Sequence, residues 1–166
     1  MAVLTTSPAG QTGSGHRSRL SWEAVAIVLV AVALIGVGVA GYLAWENSRG
    51  QSGMCTIVHG CSTVQQSKYG KILGVPVSVP GLGLYLVLAG AGIVWLRNIR
   101  GWRPYAALAG AGGAAFGFLF SGFLTYLEAF VIDAWCIYCV VSAALMTILF
   151  VGWAALLVRE IKAQRT

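Results

Sequence analysis

The chain is 166 residues long, 58% apolar and only 10% charged, with a formal net charge of +6. At a mean hydropathy of +0.80 it has too few polar groups to cover a water-soluble globule. The cations cluster at the ends of long apolar runs, so the basic balance is a topology signal and excludes a nucleic-acid partner.

Residues 1–19, rich in Ser, Thr, Gly and Gln, are predicted to be a disordered tail without core-forming content. A first apolar run, 22–45, carries a single charge, Glu23, at its edge. It is longer than the roughly 7–15 residues of a signal-peptide h-region and ends in Trp45-Glu46-Asn47, so a retained membrane span is expected. A polar loop follows, from about Glu46 to Val77. Within it, 62–69 is compatible with a short helix, started by Ser62 and stopped by Gly70, that would lie over the mouth of the bundle.

Pro76 and Pro80 bracket Val77-Ser78-Val79, which predicts extended backbone over 74–79 and a helix capped by Ser78 or Val79 that begins near Pro80. Such irregular backbone near membrane depth must be buried in protein or line a cavity. The second span is then 80–96, and an Arg-rich link, 97–103, leads to a third span over 104–127. The fourth span, 136–158, precedes a basic tail at 161–166. The uncharged runs Gly74 to Leu96, Pro104 to Leu127 and Cys136 to Val158 each exceed the roughly 20 residues needed to cross the hydrocarbon. The predicted fold class is all-α, an integral membrane four-helix bundle with a short outer-loop helix, with one transmembrane domain over 20–160. Gly113-x-x-x-Gly117 suits close helix packing inside it.

Arg17 and Arg19 precede span one, Arg97, Arg100 and Arg103 fill the second link, and Arg159, Lys162 and Arg165 follow span four. Only Arg49, Lys68 and Lys71 fall in the first loop. The positive-inside bias therefore places both termini in the cytoplasm and the first loop on the outer face.

All four cysteines then lie at the outer face: Cys55 and Cys61 in the loop, Cys136 and Cys139 at the start of span four. A Cys-x-x-Cys at a helix N-terminus suits redox work, because the unsatisfied N–H groups favour a thiolate. Asp133, the expected helix cap, works against that effect. A second pair in a loop beside a pair fixed on a helix is what a disulfide relay requires. Two structural disulfides or a four-cysteine zinc site would use the same residue count, but neither accounts for a Cys-x-x-Cys at membrane depth. Haem attachment is excluded, since Val140 and not His follows Cys139.

Taken together, Cys55-x5-Cys61-Ser62-x-Val64-x-x-Ser67-x-Tyr69-Gly70, Pro76-x-Ser78-x-x-Gly81-x-x-x-Tyr85 and Cys136-x-x-Cys139 resemble the vitamin K epoxide reductase family, in particular its bacterial members. The resemblance spans about residues 20–160. It implies a thiol oxidase in the bacterial cytoplasmic (inner) membrane, with a quinone as electron acceptor: menaquinone, ubiquinone or a related naphthoquinone, and no metal. It implies that Cys139 meets the quinone, Cys136 exchanges with the loop, Cys61 attacks Cys136, and Cys55 exchanges with a partner. Many bacterial relatives carry a fused thioredoxin-like domain. This sequence ends eight residues after span four, so a separate thioredoxin-fold partner of the DsbA type is expected. Ala143 stands where animal members have a tyrosine, which favours quinone over epoxide as the substrate.

Tyr126, Trp135, Tyr138 and Ser78 are the expected walls of a quinone site, although aromatic residues also gather at membrane interfaces for their own sake. Glu128 either donates a proton to the reduced quinone or sits among lipid headgroups. His59, between the loop cysteines, either moves protons during exchange or, the preferred reading, is a solvated loop histidine. The rival class is a non-enzymatic tetraspan scaffold held by structural disulfides.

Overall fold

The computed structural model describes residues 12–48, 71–72, 75–132 and 136–165. Four long helices dominate: α1 (Thr12–Ser48), α2 (Ser78–Arg97), α3 (Arg103–Leu127) and α4 (Ile137–Arg165). A minimal antiparallel pair, β1 (Lys71–Ile72) and β2 (Val75–Pro76), precedes α2 with Ile72 opposite Val75. The expected helix over 62–69 lies outside the described residues.

Each long helix contains a stretch apolar enough to cross a bilayer: Ser21–Glu46, Ser78–Arg97, Arg103–Val131 and Ile137–Arg165. Their outer faces carry Ile27, Leu34, Val87, Leu108, Phe116, Leu119 and Val151, all largely exposed. Water would not tolerate so continuous an apolar surface, whereas lipid requires one. The chain is an all-α, multi-pass membrane bundle.

The helices form a ring in which α1 touches α2 and α4, and α3 touches α2 and α4. Glycine positions show how closely they approach. A Cβ on Gly36 would fall within 2.6 Å of the Tyr85 ring, one on Gly92 would meet Val30, and one on Gly110 would enter the Trp153 ring. Low residue numbers on α1 thus face high ones on α2, and α3 meets α4 the same way, so neighbours run antiparallel. Gly113 and Gly117 face Leu84 of α2, and Gly117 also faces Met146 of α4, so this motif serves packing within the bundle. The core between the helices is built from Leu29, Leu88, Trp95, Ala107, Leu149 and Trp153.

The entry to α2 differs from the sequence expectation. Among the described residues of the 74–79 stretch, the extended part is Val75–Pro76, and the helix starts at Ser78 with Val77 as its cap and no side-chain capping bond. The first backbone bond runs from the Gly81 N–H to the Val77 carbonyl at 3.2 Å. Pro80 fits in this first turn because its missing N–H would have had no helical acceptor anyway. At the far end of α2, Asn98 takes a left-handed conformation (φ 46°) and closes on the Trp95 carbonyl, a helix stop that asparagine tolerates well. A tight 3₁₀ turn, Ile99–Gly101, then reverses the chain into α3.

Past Leu127 the third helix widens into a π-type turn, Glu128–Ile132. Such widenings recur where a helix must present a particular side chain.

Candidate functional site

The site lies at the end of the bundle where α1 and α3 finish and α2 and α4 begin. Cys136 precedes α4, and its carbonyl accepts backbone bonds from Cys139 (3.0 Å) and Val140 (3.1 Å). It thus opens the helix, and Cys139 stands one turn along. Cys136 is fully buried, whereas Cys139 is half-buried.

A pocket opens beside Cys139. It holds about 690 Å³ of space not filled by protein atoms, part of it open to the surroundings. Val39, Ala40 and Leu43 of α1 form one wall, and Pro76, Val77 and Ser78 at the start of α2 form another. Ser121 and Leu124 of α3 and Tyr138, Cys139 and Ser142 of α4 complete it. The walls are mainly apolar with a few polar groups, the usual make-up of a small-molecule site. Cys136 is not among the lining residues; Cys139 is.

Tyr85 lines the same pocket from α2 and is almost wholly buried. Its hydroxyl lies 2.9 Å from the Ser142 hydroxyl and 3.2 Å from the Ser142 carbonyl oxygen. Gly36 leaves the space its ring occupies. Tyr138 packs near Tyr42, their ring centroids 6.2 Å apart, and the Tyr42 hydroxyl donates to Glu46 at 2.9 Å.

Behind the cysteines sits Glu128, 1% exposed. Its Oε2 accepts the Cys136 backbone N–H at 3.2 Å. Its Oε1 is buried and has no hydrogen-bond partner among the described residues. One carboxylate oxygen and the two cysteine sulfurs all lie within 4.8 Å of one another. The headgroup position considered for Glu128 is therefore ruled out by its burial.

Of the residues singled out in the sequence, Cys139, Tyr138 and Ser78 meet at the pocket, with Cys136 next to them. Tyr126 does not join them: its side chain is exposed and packs on Phe130, ring centroids 5.0 Å apart. Cys55, Cys61, His59, Asp133 and Trp135 lie outside the described residues. Sequence reasoning passed over Tyr85 and Ser142 as site residues. Helical spacing carried the signal: Ser142 is three residues after Cys139, and Tyr85 is seven after Ser78, so each pair shares a helix face.

A Cys-x-x-Cys at a helix start, beside an apolar pocket within a four-span bundle, is an arrangement suited to thiol–disulfide redox chemistry. The sequence model of the Vitamin K epoxide reductase family matches residues 27–153, most of the chain and all four cysteines. The chain belongs to that family and is a membrane oxidoreductase. No curated protein matches it as a relative.

Proposed function

We propose that the protein is a quinone-dependent thiol oxidase that generates disulfides in a thioredoxin-fold partner. The observation that carries this reading is the division of labour within the Cys-x-x-Cys pair: Cys139 borders the pocket, and Cys136 is buried beside it and away from the pocket. A thiol that must reach a small oxidant and one that must resolve the resulting bond need such a split.

The pocket residues fit a quinone. Its apolar walls suit a flat ring with an isoprenoid tail, and the hydroxyls of Ser78, Tyr85 and Ser142 offer donors for ring carbonyls. A quinone bound there would supply a sink for two electrons and two protons. On the protein side, Tyr138 and Leu43 would flank the ring and Cys139 would deliver the electrons.

In this reading the partner's dithiol reduces the Cys55–Cys61 disulfide, Cys61 attacks Cys136, and Cys139 is released as a thiolate. Every exchange transfers an electron pair, so thiol chemistry matches quinone reduction without radicals. A partner couple as oxidising as about −120 mV requires a still stronger acceptor, since 30 mV corresponds to ~1.4 kcal/mol. The charge distribution supports cysteines on the outer face of the bacterial inner membrane and both termini in the cytoplasm.

The test is anaerobic mixing of purified protein with a reduced DsbA-type partner and a short-chain quinone. Quinol should form in step with partner disulfide. A protein that produces neither, and whose cysteine bridges resist brief mild reductant, would instead be a scaffold with structural disulfides.

A further inference from the structure

Glu128 has no place in the thiol relay, yet its carboxylate is buried against both thiols of the Cys-x-x-Cys pair. Burying a carboxyl group is costly unless it is hydrogen-bonded, and only Oε2 has a partner among the described residues. The carboxylate also sits at the N-terminal end of α4, the end of a helix dipole that tolerates negative charge. Among the described titratable groups, the two thiols lie within its reach; Tyr42 is bonded to Glu46, Tyr85 to Ser142, and Tyr126 is exposed. Capping α4 uses Oε2 alone and leaves Oε1 without a partner among the described residues.

We propose that Glu128 is the proton acceptor for Cys136 when the Cys136–Cys139 disulfide forms. The inference rests on the reading of the pair as the one oxidised by a quinone. Cys139 enters as the thiolate that the relay releases, and Cys136 enters as a thiol. As the S–S bond forms, the electron pair leaves through Cys139 for the quinone, which takes two protons from water in the partly open pocket and becomes quinol. The Cys136 sulfur then attacks the Cys139 sulfur, its S–H bond breaks as the S–S bond forms, and Glu128 takes that proton. Glu128 holds that proton while the disulfide stands and returns it to Cys136 when the relay next reduces the pair. Bulk water is poorly placed for this task, because Cys136 is fully buried.

The variant to compare is Glu128→Gln, which keeps an oxygen to accept the Cys136 N–H but takes no proton. Full-length protein in nanodiscs is reduced, mixed with a short-chain quinone, and quenched with an alkylating reagent to follow disulfide formation in one turnover. Removal of a general base lowers rates by about 10²–10⁴-fold, so at least about a hundredfold loss is expected near neutral pH. The loss should shrink as pH rises and thiolates form without help. A wild-type rate, or a slowed rate with an unchanged pH profile, would overturn the proposal; the latter marks a purely structural role.

A second measurement needs no variant and no quinone. Infrared difference spectra of the wild-type protein, with the pair oxidised by diamide, should show a protonated-carboxyl band that shifts in D₂O. No carboxyl change on oxidation would overturn the role of Glu128. Should quinone leave the wild-type pair reduced, the quinone reading falls, and the diamide spectra still decide for or against Glu128.

Discussion

Where Arg103 and Arg159 lie, Trp95 is fully buried, with the two guanidinium groups 4.8 and 5.7 Å from its ring, and Arg103 Nε donates to its carbonyl at 3.0 Å. Arg159 also covers Trp22, at 5.5 Å, so side chains from α1, α2, α3 and α4 close that end together. At the opposite end the same four helices leave a pocket, and the polar groups there include Glu128, two thiols and the five hydroxyls of Ser78, Tyr85, Ser121, Tyr138 and Ser142. One end spends its polar residues on holding helices together; the other leaves them facing a cavity or one another. Substitutions at the two ends should therefore separate stability from turnover.

The largest contrast is chemical. Cys139→Ala should reduce quinone-dependent turnover to background while the bundle remains folded, measured as quinol formation and as thermal stability of the same sample. Turnover in Cys139→Ala above about a thousandth of wild type would remove Cys139 from the electron path, because loss of a nucleophile costs about 10⁴-fold or more. Cys136→Ala should lose turnover equally, yet keep a thiol beside the pocket. Adding quinone to Cys136→Ala should therefore give a new absorption band that Cys139→Ala lacks. The reverse pattern would exchange the two roles.

Next in size is a matched pair of glycine substitutions. A Cβ on Gly36 would sit 2.2 Å from a Tyr85 ring atom, and one on Gly110 would sit 2.3 Å from a Trp153 ring atom. Overpacking of this kind costs about 1–3 kcal/mol. Gly36→Ala and Gly110→Ala should lower the melting temperature by similar amounts, but only Gly36→Ala displaces a side chain of the pocket. It alone should raise the KM for quinone. Equal KM changes would mean that the ends are mechanically coupled and that the division drawn above fails.

These contrasts also show what could be foreseen without coordinates. Four spans follow from uninterrupted apolar length, a property that burial in lipid imposes on every residue of a run. That same uniformity hides which face looks inward. In a helix apolar all round, no polar stripe marks the outside, so Tyr126 and Tyr138 look equivalent in the sequence. The structure turns Tyr138 to the pocket and Tyr126 outward onto Phe130. Cys136 and Cys139 were legible because a three-residue step on a helix brings side chains onto one face. Glu128 stands out in the sequence as a candidate proton donor, but its contact with Cys136 was not legible: it crosses from the end of α3 to the start of α4, through a π-type turn that no local pattern announces. The start of α2 was misplaced by two residues because Pro80 was read as the first helical position, when it fits within the first turn.

Arg103→Ala probes the packed end alone. It removes a charge-assisted bond to the Trp95 carbonyl and a guanidinium over the Trp95 ring. Bonds to charged groups are worth about 1.5–3 kcal/mol, and partial exposure of Arg103 places the expected loss at the lower bound. Stability should fall by about 1.5 kcal/mol with kcat and KM unchanged, as read by denaturation and quinone titration of one preparation.

The smallest expected effect, and the finest probe of the pocket, is Tyr85→Phe. The ring is held by the space at Gly36 and is buried, so removing only the hydroxyl leaves the packing in place. What goes is the hydrogen bond to Ser142, 2.9 Å away on α4. The Ser142 hydroxyl can turn to a backbone carbonyl one turn back on its own helix, as Thr147 does to Ala143 at 2.8 Å, so no buried donor is left unpaired. The cost should therefore be that of an ordinary neutral bond, about 0.5–1.5 kcal/mol, or roughly 2–4 °C in melting temperature. If the hydroxyl serves only to tie α2 to α4, quinone KM and kcat stay at wild-type values. If it faces a ring carbonyl, KM rises by about fivefold, the equivalent of ~1 kcal/mol, while the rate at saturating quinone is kept. We expect the second result, because Tyr85 and Ser142 line the pocket next to Cys139, where a donor can orient a bound ring. A variant with unchanged KM and lowered stability would assign the pair to helix packing and leave Ser78 as the remaining side-chain hydroxyl donor from α2.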